Sequence, residues 1–304
     1  MNRRKVAEAA LVWNTVIWGA TFVLVKAAIR DVSPILFLAL RFSLATLVLA
    51  ALWGRPSLFG RPPAGGGAPP PGPWQTVGAG ALAGTFLFTG YLLQTLGLQF
   101  TAAAKSAFIT GLTSVMVPLL AALVYRIRPQ PSEVLGVLVA MAGLGLMTLR
   151  SAAGAVGPGD AMTFFGAFWF AAYIVTLGHF SERMSFKLLS IGQVGAAAAI
   201  ALSLFWWAES PHVEWRPTVV YGILVTGLLA TALAFTIQAW AQQYTTSIRT
   251  ALIYMLEPVF AWITSYCLLG EGLSVRAAAG AALILGGVVL AELKPLNPRL
   301  HPSR

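Results

Sequence analysis

Residues 90–105 read GYLLQTLGLQFTAAAK, and residues 234–249 read AFTIQAWAQQYTTSIR. A displacement of 144 positions lays one on the other. Gln94 meets Gln238, Gln99-Phe100-Thr101 meets Gln243-Tyr244-Thr245, and Lys105 meets Arg249. The same displacement pairs Ala107 with Ala251, Ile109 with Ile253, Gly136 with Gly280 and Gly143 with Gly287. Upstream, a displacement of 151 lays WGATFVL (18–24) on WFAAYIV (169–175), a shift that a longer loop at 54–75 accounts for. Chance matches are frequent in apolar sequence, but the run Q-x4-Q-[FY]-T-x3-[KR] is polar and keeps its spacing. The chain reads as two related halves.

Around these stretches the chain is 58% hydrophobic and only 10% charged, against about 25% charged in soluble domains. Ten apolar runs recur, at 7–28, 34–53, 76–98, 102–125, 132–149, 160–181, 186–207, 217–241, 246–269 and 274–292. Most approach the length that crosses a hydrocarbon core. A β-barrel would instead show short alternating segments. The first run is too long for a signal-peptide core and no A-x-A-like site follows, so it counts as a helix. The expected fold is an all-α integral membrane protein of ten transmembrane helices. Five per half is odd, so the second half crosses in the opposite sense, giving two inverted five-helix repeats. Residues 1–149 form the first, 150–293 the second, and 294–304 a cytoplasmic tail. The segment 54–75, with RPPAGGGAPPPGP at its centre, reads as a flexible cytoplasmic loop.

The net charge of +10 tempts a nucleic-acid reading. Its distribution argues for topology instead. With ten spans, thirteen Lys and Arg fall on the side of the termini and five on the other. That asymmetry predicts a multi-pass protein of a bacterial cytoplasmic (inner) membrane with both termini cytoplasmic. Cys267 has no partner in the chain and reads as a small buried residue. No metal or disulfide framework, GxSxG elbow, HExxH or P-loop appears, so neither a cofactor nor a catalytic residue is expected.

The segment WGATFVLVKAAIRDVSPILFLALRF (18–42) resembles the opening of the EamA-type transporters of the drug/metabolite transporter superfamily: Trp-Gly, Phe, Lys, then Pro and Arg in the second helix. EPVFAWITSYCLLGEGLSVRAAAGAALILGGVVL (257–290) is similar to that family's Glu-Pro helix, Gly-Glu turn and Gly-rich last helix. The resemblance covers nearly the whole chain. It implies ten helices in two inverted repeats, export or exchange of small metabolites, and a cavity walled by runs 1, 3, 4, 6, 8 and 9. The first half departs from the pattern with Tyr-Arg-Ile-Arg at 125–128, where a Gly-Glu turn is common.

At about 1.5 Å per residue, Thr113 and Glu257 both fall near the middle of the ~30 Å core. They are equivalent under the displacement of 144. A carboxylate at that depth faces a cavity or a partner. Glu257 reads either as a proton-coupling or ammonium-binding group, or as a structural acid locking the Glu-Pro bend. Arg41 reads as a carboxylate anchor, a structural pair, or a side chain snorkelling outward. Trp18, Tyr91, Trp169, Tyr173, Tyr254 and Trp262 fall within spans rather than at interfaces, as cavity walls or as packing. Thr21, Thr110 and Thr113 line the same space or bond their own helix. His179 reads as a hydrated residue near the inner end of run 6, or a proton relay. Glycines at 80, 84, 136, 143, 280, 286 and 287, with Ala140, are expected to let helices approach closely. Runs 5 and 10, with few polar groups, are expected to brace the core or meet a second copy in a homodimer.

Gln94 and the turn 99–101 are expected at the membrane boundary, with Thr101 capping the next helix and Lys105 reaching water. The expected function is a secondary transporter exporting or exchanging amino acids or related zwitterions by alternating access. The partners are a small-molecule substrate and the lipid bilayer. An exporter of lipophilic cationic drugs, with Glu257 as the cation's partner, is the alternative. A scaffold would not need polar groups at mid-span in both halves, and an enzyme would need clustered nucleophiles or metal ligands.

Overall fold

Five helices start on a proline. Pro has no N–H to lose in the first turn, and its φ is already helical. These are α2 (Pro34–Trp53), α3 (Pro73–Phe100), α6 (Pro131–Thr148), α7 (Pro158–Ser181) and α9 (Pro217–Gly227). The computed structural model describes residues 3–54, 71–101, 103–127, 129–148, 156–269 and 275–292. Most of the 54–75 loop, the 294–304 tail, Gly270-Glu271 and the side chain of Cys267 lie outside the described residues.

The remaining elements are α1 (Arg3–Ala28), α4 (Ala103–Gly111), α5 (Thr113–Tyr125), α8 (Phe186–Ala208), a π-helical segment (Leu228–Leu233), α10 (Ala234–Ala241), α11 (Ser247–Tyr254), α12 (Glu257–Leu269) and α13 (Val275–Glu292). No strand is present among the described residues; a single bridge joins Val32 to Val213. Seven helices are long and apolar enough to cross a membrane, counting α4–α5 from Lys105 and α9–α10 as continuous units. Two shorter apolar helices, Pro131–Leu146 and Val275–Ala291, accompany them.

Helices occupy all ten apolar runs, but three runs are interrupted. Run 4 breaks at Leu112 and run 9 at Met255-Leu256, positions that correspond under the displacement of 144. At both breaks the hydrogen bonds shorten to i→i−3: Leu112 N to Ile109 O at 3.1 Å, Met255 N to Leu252 O at 3.1 Å and Leu256 N to Ile253 O at 3.0 Å. Behind the second break, Pro258 has no N–H for Tyr254 O and its ring crowds that carbonyl. Run 8 passes through the π-helical turn, a device common at functional sites.

Packing relates the halves. α6 lies along α13, and their glycines meet crosswise. A Cβ on Gly136 would meet Gly287 O at 2.5 Å, and one on Gly143 would meet Gly280 O at 2.5 Å. Each glycine thus touches the repeat-equivalent of the other, as in a self-complementary two-fold contact. α3 packs on α7 and α8, with a Cβ on Gly80 meeting Gly192 Cα at 3.0 Å. α8 also packs on α2, while α1 touches α9 to α12.

The departure at 125–128 has a backbone consequence. Arg126 has φ 56°, the only positive φ at a non-glycine among the described residues. Its equivalent in the second half is Gly270. A left-handed conformation costs an L-residue about 1–2 kcal/mol that glycine does not incur. Arg126→Gly is therefore expected to raise stability by about 1 kcal/mol, read as a higher midpoint of thermal unfolding in detergent.

The reading of 90–105 is corrected at Gln94 and Lys105. Gln94 faces inward, and its Nε2 donates to Thr110 Oγ1 at 2.9 Å. The Thr101 hydroxyl donates to Asp160 Oδ1 at 2.7 Å. Lys105 is ion-paired to Asp160 at 2.6 Å. The boundary offers an acid on α7, so neither the hydroxyl nor the ammonium needs water.

Candidate functional site

A cavity of about 110 Å³ lies between the two halves, far more than the roughly 10–15 Å³ that admits one water. α1, α2, α3, α4, α5, α7, α10, α11 and α12 all reach it. Trp18, Thr21, Arg41, Tyr91, Thr110, Thr113, Tyr173, Tyr254 and Glu257 line it. Trp169 and Trp262 do not: Trp169 packs against Phe86 and, edge-on, against Phe168, and Trp262 packs against an apolar cluster that includes Leu256 and Val259. Gln94, Gln238, Phe170 and Phe235 line it as well. The repeat pairs the two glutamines, but the sequence reading puts Gln94 at the membrane boundary rather than on the cavity; Phe170 and Phe235 carry no polar signal.

The wall is aromatic. Trp18 meets Tyr254 edge-on at 4.8 Å and Phe235 at 5.5 Å. Tyr91 meets Phe170 edge-on at 5.1 Å, and Tyr173 meets Phe235 at 5.8 Å. Edge-to-face pairs of this kind fix ring orientation.

The π-helical turn supplies acceptors that a regular helix would keep for itself. Trp18 Nε1 donates to Ala230 O at 2.9 Å, and just past the turn Asn14 Nδ2 donates to the carbonyl of Ala234, the first residue of α10, at 2.8 Å. Arg41 Nε donates to Thr231 Oγ1 at 2.7 Å, and its Nη2 donates to Ala230 O at 3.4 Å and Tyr91 Oη at 3.3 Å. The guanidinium lies 4.5 Å from the Tyr91 ring centroid, a cation–π distance. Arg41 is 3% exposed, so it does not snorkel outward. It is held from one side and presents Nη1 with no partner among the described residues.

Glu257 opens α12 at the break, where the helix dipole favours a negative charge. Among the described residues no cation lies within ion-pair distance of it, Arg41 included. Its equivalent Thr113 is tied down, donating to Ala167 O at 3.1 Å, and Ser114 donates to Ala251 O at 2.8 Å. Gln238 is fully buried, and among the described residues neither its Nε2 nor its Oε1 has a partner. The hydroxyl of Tyr173 also lacks a partner among the described residues. Buried polar groups without partners are rare, and one that lines a cavity is placed to bond whatever fills it. Thr21 bonds its own helix at Trp18 O. His179 lies elsewhere, exposed and stacked on Tyr125 at 4.2 Å.

Comparison with known proteins agrees with this architecture. The EamA-like transporter family matches residues 6–149 and again residues 157–293. An uncharacterized transporter of Archaeoglobus fulgidus is 32% identical over 292 residues, covering 96% of this chain and 87% of its own length. The uncharacterized transporter YoaV of Bacillus subtilis is 21% identical, with 91% of this chain and 93% of its own covered. A solved crystal structure, 20% identical, superposes with a TM-score of 0.75 over 94% of this chain and 96% of its own.

Proposed function

Because the chain belongs to the EamA-like transporter family and is a multi-pass membrane transporter, we propose that its cavity carries a small zwitterionic metabolite, an amino acid or a close relative. Export or exchange proceeds by alternating access. The observation that carries this reading is the pairing of opposite charges without an ion pair: Arg41 and Glu257 line one cavity and leave each other unsatisfied. A carboxylate fits the free face of Arg41 through charge-assisted hydrogen bonds. An ammonium fits Glu257, and the rings of Trp18, Tyr91, Phe170 and Phe235 take the rest of the molecule.

Ten spans in two inverted repeats suit this mechanism. The crosswise glycines of α6 and α13, the equivalent breaks of runs 4 and 9, and the double family match all support that arrangement. Charge asymmetry favours a bacterial cytoplasmic membrane with both termini cytoplasmic. The aromatic wall beside Glu257 also favours a second reading, export of a lipophilic cation; Arg41 in the same cavity argues against it.

Flux into proteoliposomes, with an amino-acid panel and a lipophilic-cation panel and with or without a pH gradient, tests the proposal. Saturable movement of an amino acid is expected. Movement of cations alone would replace this reading with the second, and movement of neither would refute both.

Gln238 gives a finer prediction. Replacing an unpartnered buried amide by an apolar group of similar size is neutral or stabilising. Gln238→Leu is thus expected to keep or raise the unfolding temperature. It is also expected to weaken substrate binding about tenfold by removing one hydrogen bond. Unfolding midpoints and transport KM, measured side by side, separate the two effects.

A further inference from the structure

The polar run that reveals the repeat builds the same cluster twice, at opposite ends of the cavity. At one end Lys105 pairs with Asp160 at 2.6 Å, and Thr101 Oγ1 donates to the same carboxylate at 2.7 Å. At the other, Arg249 lies 3.7 Å from Glu8, and Thr245 Oγ1 donates to Glu8 at 3.2 Å. Thr101 and Thr245 are equivalent, as are Lys105 and Arg249, while Asp160 is one position from the equivalent of Glu8.

Each cluster joins the two halves. Lys105 and Thr101 belong to the first half and Asp160 to the second; Arg249 and Thr245 belong to the second and Glu8 to the first. α1 runs between them. Glu8 stands at one cluster, and Lys26, eighteen residues on, donates to Thr101 O at 3.2 Å at the other. That separation is about 27 Å of helix, with Trp18 and Thr21 facing the cavity between.

We propose that these two clusters are alternating latches: breaking Lys105–Asp160 opens the cavity at one face, and breaking Arg249–Glu8 opens it at the other. Both are closed in this structure. The clusters touch no cavity-lining charge, so they govern access rather than recognition. Arg249 Nε also lies 3.4 Å from Glu133 on α6, so a second acid of the first half shares this guanidinium. The latches rest on the alternating-access reading above, but not on the identity of the substrate.

The test reads access directly. In a Cys267→Ser background, Ala107→Cys places a thiol in the cavity. A membrane-impermeant maleimide is applied from each side, using intact cells and inverted vesicles. Asp160→Asn should raise labelling from the Lys105 face about tenfold, the loss of one charge-assisted bond, and lower it from the other. Arg249→Gln should do the reverse, and by more than Glu8→Gln, which leaves Glu133 in place. If Asp160→Asn fails to fold, Lys105→Gln should give the same shift. Opposite shifts support the latches even if no amino acid is transported. Shifts in the same direction, or none in folded variants, would overturn them.

Discussion

Glu257→Gln is expected to lower transport efficiency by about two orders of magnitude, equivalent to about 3 kcal/mol, while leaving the protein folded. Glutamine keeps the shape of the side chain and removes only the negative charge. The loss follows from the position of the carboxylate: it faces the cavity, and no cation pairs with it among the described residues. An ammonium that docks there would lose its counter-charge in a site with little water. The same substitution weakens the favourable interaction with the start of α12 by at most about 1 kcal/mol. A structural acid would show the opposite balance, with a lowered unfolding temperature and an unchanged KM. Transport kinetics and thermal unfolding of the same preparation decide between them.

Gly19→Val is expected to prevent α1 from docking against α12, with a loss of about 3 kcal/mol or more. A Cβ at Gly19 would stand 2.8 Å from Ala261 N and 2.8 Å from Glu257 O. Both are backbone atoms, so no rotamer change relieves the overlap. The helices would have to part, and the carbonyl of Glu257 would move with them. Gly286 is the contrast and corrects the expectation of a close helix approach there, because nothing lies within 4 Å of its added Cβ. Gly286→Ala should be neutral or gain about 1 kcal/mol from helix propensity. Yield and monodispersity in detergent, followed by unfolding midpoints, report both.

Adjacent glycines show how far sequence reading extends. Gly286 and Gly287 look alike in a Gly-rich helix, yet a Cβ on Gly287 would meet Gly136 O at 2.5 Å while one on Gly286 meets nothing. Helical periodicity and composition find the runs; which face touches a neighbour depends on the partner helix. The repeat was legible because polar residues kept their spacing in apolar surroundings. Its meaning was only half legible. The partner shared by Thr101 and Lys105, Asp160, lies fifty-five residues beyond Lys105, out of reach of any local pattern. Arg41, Tyr91, Tyr254 and Glu257 were found as polar tips at mid-span, since such groups need a cavity or a partner. Trp169 showed the same signal and serves packing against Phe86 and Phe168. The π-helical turn that frees Ala230 O for Trp18 and Arg41 has no sequence signature in LLATAL.

The central claim is that one cavity reads both charges of its substrate. Counterflow of a transported amino acid, challenged with its N-acetyl derivative and its methyl ester, measures that claim most directly. The first derivative lacks the ammonium that Glu257 would hold, and the second lacks the carboxylate that Arg41 would hold. The account predicts that neither competes with the parent compound. An ester that competes as well as the parent would contradict it and leave Glu257 as the receptor of a simple cation.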